Sequence, residues 1–295
     1  MMTFSTKAKM LTITRYTVLV IVSIIMLYPL IWMVAGMWRP NHEAFIPGLF
    51  PTNAVNAGES IRNAWTTARG TNLLFYFWNT LRFLLPRVIG QVVSCVLTAY
   101  AITRFQFKGK KIVFTLVIAT LLMPEVIFRI PLFRMYAGVS PILGRFMDFN
   151  LINTPFPLWL EHAFATGSFF VFMLVQFMRG IPKELDEAAK IDGCNSFQTL
   201  TLVLLPVMKP AIITVALLTF MWGMNDFIGP LIYLRASGDW VLQQALRQAM
   251  DPTGYELIWS NLFAMSVLAL VPAITVFFAA QRYFIDGIAS TGSKE

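Results

Sequence analysis

Few side chains in this 295-residue chain could do covalent chemistry. Its two histidines, His42 and His162, lie far apart, and so do its two cysteines, Cys95 in an apolar run and Cys194 in a polar stretch. A catalytic zinc needs about three clustered ligands and a triad needs a base beside its nucleophile, so neither has the residues it requires. A disulfide framework is equally implausible. No GxxxxGK[ST] loop is present to cradle a nucleotide phosphate. What remains is charge in apolar surroundings: Glu125, Arg129 and Asp226 each interrupt a hydrophobic run. Such charges are functional candidates until a partner is found for them. Glu125 and Arg129 are one helical turn apart, which makes a mutual ion pair the simplest reading. Arg82, Arg87 and Arg134 lie in the neighbouring segments, where interfacial arginines also snorkel to headgroups.

The elements that position these charges follow from composition. The chain is 57% hydrophobic and only 13% charged, which describes a polytopic membrane protein. Its net charge of +8 is not gathered into a basic domain, so it reads as a topology signal rather than a nucleic-acid surface. Charge-poor runs predict six membrane helices over about 16–38, 83–103, 112–133, 158–178, 210–234 and 257–281. The first is too long for a signal-peptide core, so it is expected to be an uncleaved span. Lys7, Lys9 and Arg15 before it, and the RFQFKGKK segment at 104–111, place both termini and that loop in the cytoplasm. Residues 235–256 are expected to form an outer loop. Open strands cannot be satisfied in lipid, so the fold class is an all-α membrane protein of one domain, with no convincing internal repeat.

One stretch breaks the pattern. Residues 179–210, RGIPKELDEAAKIDGCNSFQTLTLVLLPVMKP, sit between two apolar runs and are far more polar than either. Pro182 suits a first helical position, and Glu184, Asp186 and Glu187 suit the early turns, so a short helix is expected from Pro182 to Asp192, stopped by Gly193. Ser196 is expected to cap a second, from Phe197 to Leu204, ending near Pro206. Ala188, Ala189 and Gly193 offer a small-residue surface for close approach, with Glu187 beside it. An amphipathic helix lying on lipid would instead carry basic and bulky apolar residues.

EAAKIDG at 187–193, followed by Leu205 and Pro206, resembles the EAA motif of the membrane subunits of ATP-binding-cassette importers. Further fragments in order are NTLRF at 79–83, AYAITRFQFKGKK at 99–111, IPLF at 130–133, IPKELDEAAKIDG at 181–193, NDFIGPL at 225–231 and QRYFIDGIASTG at 281–292. The set is similar to the carbohydrate-uptake permeases, particularly the smaller maltose-type subunit. The resemblance implies a type I importer-like fold with a cytoplasmic coupling-helix loop at 179–209. It implies that Glu187, Ala188, Ala189, Asp192 and Gly193 meet an ATPase, and that Leu205-Pro206 returns the chain to the membrane. The implied partners are a second homologous permease, two cytoplasmic ATPase subunits and an extracytoplasmic solute-binding protein, in a bacterial-type inner membrane. No cofactor is expected on this chain, since ATP and Mg would belong to the ATPase subunits. The implied cargo is a carbohydrate, an oligosaccharide; an acidic one is left open, because Glu125 and Arg129 depart from the plainer residues of the family and, together with Arg82, Arg87 and Arg134, could make the outer vestibule attractive to an acidic saccharide. Trp222, Asn225 and Asp226 would suit a sugar ring and its hydroxyls, although Asp226 can equally satisfy backbone groups freed near Pro230. A glycerol-phosphate or polyol importer is the near alternative. An ion-coupled secondary transporter is the distant one, and it lacks the expected repeats.

Overall fold

The computed structural model describes residues 4–66, 71–147, 151–250 and 257–292. Among these, the backbone is helical apart from connecting segments and one isolated bridge between Thr66 and Asn72. Five helical stretches are long and apolar enough to cross a membrane: Lys9–Gly36, Leu73–Arg104, Phe156–Arg179, Ser196–Met224 and Trp259–Gln281. A sixth is reached by joining α4 (Lys110–Leu121) to the first part of α5 (Val126–Met147).

That sixth span departs from expectation, because the two helices meet at a bend of 108°. The cause is Pro124, which has no N–H to donate and whose ring excludes an α-helical residue before it. The α4 ladder accordingly closes with Leu122 and Met123 donating to Ala119 and Thr120, and a new ladder starts from the Pro124 carbonyl. The fourth span is also in two pieces, α6 (Phe156–Ala163) and α7 (Ser168–Arg179), separated by Ala165 at a φ of 56°. The expected outer loop contains a helix, α12 (Leu242–Ala249), while 251–256 lies outside the described residues.

The largest correction concerns the second helix of the polar stretch. It does not end near Pro206. After a short turn, α9 (Ser196–Gln198), a π-helical segment over Thr199–Leu204 leads directly into α10 (Leu205–Met224). The Leu205 N–H donates five residues back, to Leu200. The wider π turn sits just ahead of Pro206, whose ring would press on the Leu202 carbonyl in a regular α-helix. The fifth span therefore begins at Ser196 rather than Pro210. It stops at Met224, before a second short helix, α11 (Ile228–Tyr233).

By internal contacts the chain forms two compact units. One comprises residues 1–73 and 246–271. From Tyr16 onwards its first helix, α1 (Phe4–Gly36), is apolar on every side and largely exposed, as expected of a helix whose solvent is lipid. Trp32 meets Phe263 of α13 (Trp259–Gly292) edge-on, with ring centroids 5.2 Å apart. After α1 the chain folds around Arg39, which is 1% exposed and donates to the carbonyls of Glu43, Ile46 and Gly48. The Thr52 hydroxyl and backbone N–H both donate to the Glu43 carboxylate and hold it below the usual carboxylate range. This contribution to stability is present above the unfolded pKa and lost as pH falls through the folded one. Gly36 faces the Phe263 ring so closely that an added Cβ would lie 2.5 Å from Cδ2. Gly36→Ala should cost about 1–3 kcal/mol by overpacking, read as a lower melting temperature in detergent.

The other unit comprises residues 74–245 and 272–295. Its apolar core joins α3 (Leu73–Arg104), α7 and α10 through Cys95, Ala99, Leu174, Met178, Leu204 and Met208, each essentially inaccessible. This core underlies the polar stretch, because Ile181 and Leu200 belong to it.

Candidate functional site

The short helix of the polar stretch, α8, runs from Glu184 to Ile191, starting two residues after Pro182. Glu184, Asp186 and Glu187 occupy its first turn, where the helix dipole favours acids. Its end is a Schellman motif: Cys194 N–H donates to Ala189 and Gly193 N–H to Lys190. Gly193 sits at a φ of 83°, a left-handed conformation that glycine adopts without strain, and nothing lies within 4 Å of where its Cβ would be. The next residue but one restarts the chain. Asn195, rather than Ser196, is the cap of α9: its side chain accepts from Gln198 N–H at 2.9 Å while the Gln198 side chain accepts from Asn195 N–H. One cap thus follows another with no slack between them.

The structure splits the expected small-residue surface. Glu187, Ala188, Asp192 and Gly193 are exposed, with Ile191 at 87%, whereas Ala189 is 4% exposed and packed on its own chain. Ala189 lies about 100° further round the helix than Ala188, a step that here carries it from the exposed face to the one packed on the chain. Leu205 is half-buried and Pro206 exposed in the first turn of α10.

What fixes α8 to the membrane helices is a residue that sequence reasoning read only as a topology charge. Arg104, the last residue of α3, pairs through Nε with Asp186 Oδ2 at 3.0 Å and donates from Nη2 to the Ile181 carbonyl at 3.1 Å. Both side chains are largely withdrawn from solvent, at 8% and 14% exposure. From the same helix, the Tyr100 hydroxyl donates to the Ser196 carbonyl at 2.9 Å. The available signal was spacing: Asp186 lies three residues before Ala189 and shares its inward face.

The apolar-run charges form a second constellation. Arg129 pairs with Glu125 at 2.8 Å, as the four-residue spacing suggested. Arg129 also reaches Asp226 at 3.6 Å, and Asp226 is held from the other side by Arg87 of α3 at 2.9 Å. The second Asp226 oxygen accepts from Gly229 N–H at 3.0 Å, so the same carboxylate caps α11. Arg87 and Asp226 are only 7% and 8% exposed. Each arginine is thus matched by a carboxylate, and a third carboxylate, Glu161, lies within electrostatic reach of both. Of the remaining candidates, Asn225 is exposed and donates to Met221 O, and Trp222 is half exposed with its ring beside Phe169 and Phe170. Arg87 as the principal partner of Asp226 was missed, since a separation of 139 residues leaves no local pattern.

Comparison with known proteins places these features. Residues 91–290 match the family model described as "Binding-protein-dependent transport system inner membrane component". The chain is 27% identical to the diacetylchitobiose uptake system permease protein NgcG of Streptomyces coelicolor, over 94% of this chain and 87% of that one. It is 28% identical to the arabinooligosaccharides transport system permease protein AraQ of Bacillus subtilis, over 92% of each. It is 25% identical to the maltose/maltodextrin transport system permease protein MalG of Yersinia pestis, over 95% and 92%. Among solved structures, a bacterial ABC transporter involved in the import of the acidic polysaccharide alginate superposes with a TM-score of 0.76, covering 96% of this chain and 100% of that chain at 21% identity. That likeness is one of fold. The chain belongs to the family of inner membrane components of binding-protein-dependent transport systems.

Proposed function

We propose that this chain is the membrane-spanning permease subunit of an ATP-driven importer of an oligosaccharide. ATP hydrolysis would reside on separate cytoplasmic subunits that grip α8, a second permease would complete the pathway, and an extracytoplasmic binding protein would deliver the cargo. The observation that carries the reading is the construction of α8: outward Glu187, Ala188, Ile191, Asp192 and Gly193 on a helix whose inner face is latched to α3. A rigid, exposed helix end with a bulky apolar residue at its tip suits a groove in another protein. The relatives that match nearly full length are named for diacetylchitobiose, arabinooligosaccharides and maltose/maltodextrin, which supports an oligosaccharide cargo. A neutral sugar is favoured over a uronic one. Arg87 and Arg129, the buried cations that would attract an acid, are each matched by a carboxylate.

The test is uptake in proteoliposomes containing the whole assembly. Gly193→Asp forces a side chain into the left-handed conformation and adds charge to the proposed grip. It should leave membrane insertion intact and ATP hydrolysis measurable while lowering accumulation by about tenfold or more, given strain of roughly 1–2 kcal/mol at the helix end. Normal accumulation in that variant removes α8 as the coupling element. Uptake without any co-purifying ATPase would instead support an ion-coupled carrier.

A further inference from the structure

The segment between α1 and α2 (Ala57–Trp65) is built unlike a loop that faces water. Residues 44–51, AFIPGLFP, carry no charge and no side-chain hydrogen-bonding group, and Phe45, Ile46 and Phe50 stand 63%, 52% and 81% exposed. Backbone carbonyls turn inward instead. Arg39, buried and lying 5.5 Å over the Trp32 ring, donates to the carbonyls of Glu43, Ile46 and Gly48. Two contacts set the level of this segment in the membrane. The Phe45 ring meets Trp259, the first residue of α13, edge-on with centroids 4.5 Å apart, and lies 6.4 Å from Trp32 near the end of α1. The Asn41 side chain donates to the Leu257 carbonyl at 2.8 Å and accepts from Trp259 N–H at 2.9 Å. Both spans have an end here, and tryptophans at span ends sit at the boundary between headgroups and acyl chains. Phe45 packs on both rings and is still largely exposed, so the apolar surface it begins lies at that boundary, on the side of the membrane opposite the N-terminus.

We propose that residues 44–51 form a wedge inserted into the lipid leaflet on that side, anchoring the paired ends of α1 and α13 at a fixed depth. Lipid tails offer no hydrogen bonds, so backbone that enters them must be satisfied from within, as Arg39 does for three carbonyls. A protein partner brings donors and acceptors of its own, and its interface carries a polar rim. The side chains of this segment have nothing to give them. A solute-binding protein would moreover approach from the water above this level. From Pro40 to Ile61 there is no lysine or arginine, and the Glu43 carboxylate is occupied by Thr52, so headgroup charge plays no part. The wedge rests on the spans of α1 and α13 and not on the cargo or on the grip on α8, so a failure of either leaves it standing.

Nitroxide accessibility in the intact transporter, reconstituted in dioleoyl phosphatidylcholine vesicles, tests the wedge. The label is carried on a keto amino acid in place of Ile46 or Phe50, and in place of the exposed Arg62 of α2 as the water-facing control. Elution of each labelled assembly at the wild-type size reports that it is folded. At positions 46 and 50 dissolved oxygen should reach the label more readily than a water-soluble nickel chelate, at a depth of about 5–10 Å into the boundary. At position 62 the chelate should prevail. Adding phosphatidylglycerol should leave the depth unchanged. Chelate access at 46 and 50 equal to that at 62 overturns the proposal, because the segment then lies in water. Burial only in the presence of phosphatidylglycerol overturns it too, since the segment would then answer to charge. Exclusion of both probes also overturns it and marks a protein covering: the second permease if exclusion is present from the start, the solute-binding protein if it appears only when that protein is added.

Discussion

Arg104→Ala should abolish productive transport while leaving the chain inserted and assembled. The substitution strands Asp186, a carboxylate only 14% exposed, and removes the donor to the Ile181 carbonyl. Breaking a largely buried pair by deleting one partner costs about 3–5 kcal/mol, because the remaining charge stays uncompensated. In this geometry the cost falls on one junction, that between α3 and α8. The helix should detach from the membrane domain locally, while the apolar core of α3, α7 and α10 persists. Hydrogen exchange over residues 184–191 should then rise towards that of an open loop, and uptake in proteoliposomes should fall by two orders of magnitude or more, as about 3 kcal/mol implies. A charge swap, Arg104→Asp with Asp186→Arg, should recover part of the loss. Unchanged protection and uptake in Arg104→Ala would show that α8 is held by apolar packing alone.

The second large effect is expected at Asp226, where one carboxylate serves Arg87, Arg129 and the first turn of α11. Asp226→Ala leaves Arg87, 7% exposed, without its anion, and should destabilise the folded chain by about 3–5 kcal/mol. It also removes a cap, for about 1 kcal/mol more. Asp226→Asn separates the two contributions, since its amide oxygen can still accept from Gly229 N–H. Melting of the purified assembly in detergent should therefore rank wild type above Asp226→Asn and that above Asp226→Ala. If the two variants melt together below wild type, the cap at Gly229 adds nothing and the charge carries the effect; if Asp226→Asn melts as wild type, the carboxylate's charge does no structural work. If both melt as wild type, Arg87 has found another anion.

Most of the spans could be read from the sequence because lipid imposes one demand, an unbroken apolar run long enough to cross it. Two of the deviations sit at prolines. Pro124 turns one expected span into two helices, and Pro206, expected to end a helix, is instead absorbed by a π turn. A proline constrains its own position, but whether the chain breaks or widens is decided by what packs around it. The loop signals were legible in kind and displaced by a residue or two: Gly193 as a stop was right for the stated reason, whereas the cap belongs to Asn195 rather than Ser196. The pairing of charges was legible only where it was local. Glu125 and Arg129 are four apart and pair as expected, but Arg104 with Asp186 and Arg87 with Asp226 join distant segments, which no single-sequence pattern specifies.

The uninterrupted helix from Ser196 to Met224 has a mechanical meaning. Its 29 residues make a rod about 43 Å long. One end follows α8 through two back-to-back caps, and the other halts within two residues of Asp226. Under the proposed coupling role, a displacement of α8 would be carried along this rod towards the ion cluster. The two constellations, separate in sequence and in chemistry, are the handle and the far tip of the same part.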